Sequence, residues 1–186
     1  MATNFKNDSS QSRSWFNRFV VPALSRFGFS DICSAENHES ELDSLLDLAG
    51  IDALAKRGDG ATVSFASRII QMKPNLGNYD CFSLRDARSS GHTTEFEKLQ
   101  NAIKFNSLRP MWHVQTFVDK ENDEAHVSIV DTKSLVEVAA TDSKILTTRD
   151  KTVFRLVPFA DLRRAGVEIQ TVNIKAKKNK AMSLLA

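Results

Sequence analysis

The chain of 186 residues is poor in cysteine, proline and glycine, with two, four and seven of them, and it carries a single tyrosine. Two cysteines, Cys33 and Cys81, with no CxxC pair, build neither a disulfide scaffold nor a thiolate zinc site. No run of about 20 apolar residues occurs, so a membrane-spanning helix is excluded. Residues 1–14 are polar where a secretory leader needs an apolar stretch, so a reducing cytoplasm is the expected compartment. Charge of one sign is scarce as well. The net charge is +2, yet Lys175, Lys177, Lys178 and Lys180 lie in the last twelve residues, leaving 21 basic against 23 acidic side chains in the other 174. The body of the protein is therefore not a basic one, and the tail reads either as a solvated run or as an electrostatic grip on a polyanion.

What is present is a core. Hydrophobic residues make up 41 % and phenylalanine alone numbers twelve, the balance of a folded domain and not of a disordered chain. Residues 1–14 lack the apolar surface to offset the entropy of ordering and read as disordered. A single domain is expected over 15–174, with 175–186 as a basic tail.

Within it, Phe16, Phe19, Val20, Ala23, Leu24 and Phe27 recur at helical spacing, with Pro22 as a kink and Gly28 as a stop. Leu42, Leu45, Leu46 and Ala49 give a second, shorter helix ended by Gly50. Residues 51–55 and 61–71 read as a β-hairpin around Arg57, Gly58, Asp59 and Gly60. A strand at 80–85 follows, and then a helix opened by Thr94 and Glu97 at capping-box spacing, with Phe96, Leu99, Ala102 and Ile103 as its buried stripe. Segments 111–118 and 125–130 form another hairpin. A helix near 135–140, a polar loop, a strand at 153–157, a helix near 158–165 and a strand at 167–174 complete an α+β (or α/β) domain with a mixed central sheet.

Chemistry concentrates in two places. Strand alternation puts Val63, Phe65 and Ile69 on one face and Thr62, Ser64, Ala66 and Arg68 on the other. Asp52, between Ile51 and the apolar strand that follows, is an acid that needs a cation, and an ion pair with Arg68 across the hairpin is one answer. The second place is Arg85, Arg88, Ser89, Ser90, Gly91, His92, Thr93 and Thr94. Small residues, a helix N-terminus and two arginines together suit a phosphate, although the same residues also make an ordinary capped turn. Neither a P-loop nor a GxSxG elbow occurs, and His38, His92, His113 and His126 lack metal-ligand spacing.

A leading helix, an acid-rich stretch with Glu36, Glu39 and Glu41, the sequence GID with Asp52, and a polar face on the next hairpin strand resemble the PD-(D/E)XK nuclease core. The resemblance implies a restriction-endonuclease-like fold and a Mg²⁺ or Mn²⁺ centre held by Asp52 and an acid such as Glu41, with a cation stabilising the phosphodiester transition state. It departs from the family where TVSFASR carries Ser64 and Ala66 in place of the acid or glutamine and the lysine. Arg68, one pleat or about 7 Å further on, then supplies the positive charge, with Gln71 near the strand end. The longer pattern AGIDAL, FASRIIQ, CFSLRDARSSGHTTEF and LRPMWHVQTFV also resembles uncharacterised bacterial proteins. That second resemblance carries no activity; the nuclease resemblance implies a metal-dependent nuclease in a bacterial or phage-like setting, and the turn with Arg85, Arg88, Ser90 and Thr94 and the tail with Lys177 and Lys178 are the expected contacts to nucleic acid. The alternative is an inactive accessory module that keeps the fold and grips nucleic acid or a protein, and a homo-oligomer pairing through an exposed strand is a third.

Overall fold

The computed structural model describes residues 11–35, 41–73, 80–87 and 93–176. Its leading helix, α1, is already helical at 11–15, ahead of the expected start at Trp15, and continues through a π-helical turn at Phe16–Val20 into an α-helical one at Val21–Arg26. The widened turn ends just before Pro22, where the missing N–H and the ring rule out a regular α-helical bond. Gly28 closes it at φ +89°, a conformation that suits glycine.

Among the described residues nine strands form two sheets. The larger has six, β1 (Ser30–Ser34), β2 (Ala53–Lys56), β3 (Thr62–Gln71), β5 (Trp112–Asp119), β6 (Glu124–Asp131) and β9 (Gln170–Lys175), side by side in that order. Neighbours are antiparallel except β3 and β5, which run parallel. A parallel pair needs a long crossover, and β4 (Cys81–Ala87) with helix α3 (Glu95–Lys104) provides it. Strand β4 belongs to the second sheet, ordered β4, β8 (Val153–Pro158), β7 (Lys144–Thr147). Helices α2 (Glu41–Leu48), α4 (Thr132–Thr141) and α5 (Phe159–Arg164) complete the α+β architecture.

Two cores lie on opposite faces of the large sheet. Phe16, Phe19, Val20 and Leu24 of α1 pack on Val63, Phe65, Val114, Val127 and Ile129. On the other side Phe82, Leu84, Phe96, Leu99, Leu135, Val157 and Leu162 join the small sheet to three helices. Each such side chain contributes about 1.5–3 kcal/mol by leaving water, which makes this joint the rigid frame for β3 and α3.

Both hairpins form, with bounds shifted by one or two residues. Two strands depart from expectation. Strand β1 has no apolar alternation in SDICS because it is an edge strand exposed along most of its length, and β7, inside the expected polar loop, is exposed at every residue. The stripe expected to bury α2 also fails: Leu46 is buried, but Leu42 and Leu45 are 59 % and 56 % exposed, because α2 rests on Ala35 and Ile51 through Leu46 alone among its leucines.

Candidate functional site

Strand β3 outruns its partner. The β2–β3 ladder ends at the pair Ala53 and Phe65, whereas β3 continues on β5 as far as Gln71. Asp52 stands where the ladder stops. Its N–H donates to the Phe65 carbonyl at 2.8 Å, and its carboxylate accepts the Ser67 N–H at 2.6 Å. It therefore completes the free edge of β3 as a side-chain substitute for a strand.

That geometry corrects the pairing expected for Asp52. Arg68 projects from the face of β3 that α3 covers, and there its guanidinium donates to Glu95 Oε2 at 2.8 Å. The two alternatives differ because Asp52 lies beside the strand edge, whereas Glu95 sits over the face. Glu95 is the first residue of α3, where the helix dipole favours an acid. The same oxygen accepts the Arg85 N–H at 3.0 Å, tying β3, β4 and α3 together. Arg68 and Arg85 then flank one ring: their guanidinium carbons lie 5.0 and 5.9 Å from the centroid of Phe154. Cation–π contact brings both cations to the same ring.

Around them is a cavity of about 450 Å³, lined among others by Asp47, Asp52, Arg68, Arg85, Glu95 and Lys98. Asp52 and Arg68 thus share one hollow, although they do not form the expected pair. Arg68 is neutralised by Glu95. Among the described residues no carboxylate forms an ion pair with Arg85 or Lys98, although the lining as a whole sets Asp47, Asp52 and Glu95 against Arg68, Arg85 and Lys98. Behind Glu95 lies His113 on β5, fully buried and with Nδ1 3.9 Å from Glu95 Oε1. Burial pushes its pKa down to about 4, against the opposing pull of Glu95, and Arg68 adds to the lowering; it is a neutral imidazole at physiological pH.

The other expected site residues scatter. Glu41, at the start of α2, and Gln71, at the end of β3, are exposed and do not line this cavity. Thr94 is buried as the N-cap of α3, its N–H held by Glu97 Oε2 at 3.2 Å, while Thr93 reaches the cavity wall. Glu36, Glu39, Arg88, Ser90, Lys177 and Lys178 lie outside the described residues. The sequence reading did not single out Asp47, Glu95, Lys98 or Phe154 as residues of this site. No local signal marks them, since they are brought in from three elements, α2, α3 and β8.

Among the described residues the donors expected for a Mg²⁺ or Mn²⁺ centre do not gather. Ser64 and Ala66 offer no carboxylate, the described part of α1 contains no acid, and no three His, Cys, Asp or Glu side chains gather as ligands among the described residues. Nor does Cys81 suit nucleophilic catalysis: burial and the neighbouring Asp80 push its thiol pKa up, against thiolate formation. Compared with protein families, with curated proteins and with solved structures, the chain matches none.

Proposed function

We propose that this protein is a nucleic-acid-binding module with a PD-(D/E)XK-like arrangement, in which the cavity holds a backbone phosphate and the metal centre has been lost. The observation that carries the reading is the convergence of Arg68, Arg85 and Lys98 on one hollow, with both arginines set against Phe154. A phosphate suits this place because Arg85 and Lys98 lack carboxylate partners among the described residues, while Glu95 fixes Arg68 and the backbone of β4. Order along the chain supports the family resemblance: a leading helix, GID with Asp52 immediately ahead of β2, then the hairpin strand β3 with Arg68. Metal-dependent cleavage of DNA or RNA is the competing reading. It rests on Asp47 and Asp52 lining the same cavity, and it is disfavoured by the donor set above.

Fluorescence anisotropy with labelled single-stranded and duplex DNA and RNA, in EDTA and in Mg²⁺, tests this. Binding that persists in EDTA and weakens about tenfold or more in an Arg85→Ala, Lys98→Ala double variant supports the module. Cleavage that needs Mg²⁺ and is abolished by Asp52→Ala supports the nuclease instead, and absence of binding to all four probes defeats both.

A further inference from the structure

A separate surface, independent of the cavity reading, bears on assembly. Among the described residues eight large apolar side chains are well exposed, and six of them lie on α2 or just after α3, two of these, Leu108 and Met111, in the wall of a groove. Leu42, Leu45 and Leu48 belong to α2; Phe105, Leu108 and Met111 belong to the segment that follows α3. Between these walls runs an apolar groove of about 480 Å³, with Leu46 on the α2 side, Leu108, Pro110 and Met111 opposite, and Ile51, Leu54 and Val63 as its floor. Scattered exposed leucines are ordinary, whereas a contiguous apolar patch beside a groove marks an interaction site. The helical spacing of Leu42, Leu45 and Leu46 is that of a helix with a buried face, and the fold of one chain leaves most of that face in water.

Helix α2 is acidic, and the groove beside it carries Arg109 and Lys133. Glu41 and Asp47 lie on α2, while Lys104 and Arg109 stand on and after the end of α3. Among the described residues none of these four has an oppositely charged side chain in ion-pair range; Arg109 donates to the Ser107 carbonyl at 3.3 Å and Lys104 lies over the Phe105 ring. Lys133, at the groove, is weakly held by Glu137 at 3.8 Å, and Asp131 is turned away to cap α4 through Ser134. An acidic leucine ridge beside a basic apolar groove is a self-complementary surface. A two-fold axis through it sets α2 of each copy in the groove of the other, pairs acid with base twice, and closes the assembly at two.

We propose that the groove between α2 and residues 105–111 is the seat of a second copy of this chain. The dimer also packs α2 from outside, and α2 supplies Asp47 to the wall of the neighbouring cavity.

Sedimentation velocity over a concentration series, with circular dichroism to verify folding, tests it on the full chain. The wild type is expected to dimerise, and Leu45→Glu, a change at an exposed site, is expected to weaken the dimer about tenfold or more. Glu41→Lys and Arg109→Glu each place like charges across the interface and are each expected to be monomeric. Mixed together they are expected to form a heterodimer, because both charge pairs are then restored. A monomeric wild type, a dimer indifferent to Leu45→Glu, or a mixture that stays monomeric overturns the proposal; the first of these outcomes leaves the groove to a different protein or to residues outside the described ones.

Discussion

Replacing Glu95 by glutamine should move two observables in opposite directions. Stability falls, because the side chain gives up its charge-assisted bond from Arg68 at 2.8 Å and weakens the one from the Arg85 N–H at 3.0 Å. A hydrogen bond to a charged group is worth about 1.5–3 kcal/mol, and loss of the acid at the helix N-terminus adds about 0.5 kcal/mol. Arg68 keeps 17 % of its side chain in contact with solvent and is partly rehydrated, so the expected loss is about 2 kcal/mol. Affinity for nucleic acid rises. Two unit charges about 8 Å apart at an effective dielectric constant of about 20 interact by about 2 kcal/mol, and water in the open mouth reduces this to roughly 1 kcal/mol. Removing the negative charge therefore tightens phosphate binding about fivefold and frees Arg68 for the ligand. Urea unfolding and anisotropy at one fixed ionic strength measure the pair of effects. Loss of stability with unchanged or weaker binding would refute the reasoning, since it would mean that no anion sits beside Glu95.

Asp52→Ala removes the acceptor of the Ser67 N–H and should cost about 1–2 kcal/mol of stability in urea unfolding; the cost should be the same in Mg²⁺ and in EDTA, and a Mg²⁺-dependent stabilisation lost in the variant would restore the metal reading. His113 is neutral in the fold down to pH about 4 but is protonated in the unfolded chain below its ordinary pKa of 6.5, so acid favours unfolding. Stability should be undiminished by this group above pH 6.5 and fall by up to about 3 kcal/mol between 6.5 and 4, a slope that His113→Gln should flatten and whose persistence in that variant would assign it elsewhere. Phe154→Leu keeps apolar bulk and removes the ring under both arginines, so binding should weaken about threefold to tenfold, read by anisotropy, with the fold retained by circular dichroism.

Much of the fold was legible because its signals are local. The hairpin turn at Arg57–Gly60 carries its own chemistry, with Gly60 at φ +83° and the Asp59 carboxylate accepting the Ala61 N–H at 3.0 Å. Thr94 and Glu97 likewise marked the start of α3. Strands β1 and β7 escaped because an edge strand that is wet on most sides needs no alternation of apolar residues. The stripe of α2 misled for a related reason, since periodicity reports that a face wants burial and says nothing about whether the same chain provides it. The cavity was half legible. Asp52 and Arg68 stood out as charges within apolar strands, but which acid takes the arginine depends on where β2 stops pairing and on how α3 lands on β3. Glu95 lies 27 residues from Arg68, and spacing across a crossover carries no information about that contact.

The most direct test is the salt dependence of oligonucleotide binding in EDTA, compared between the wild type and the Arg85→Ala, Lys98→Ala double variant. The account predicts that the slope of log K against log salt becomes shallower by about 0.7 per lost cation on single strands and about 0.9 on duplexes, with affinity down about tenfold. An unchanged slope, or binding that appears only when Mg²⁺ is added, would contradict it.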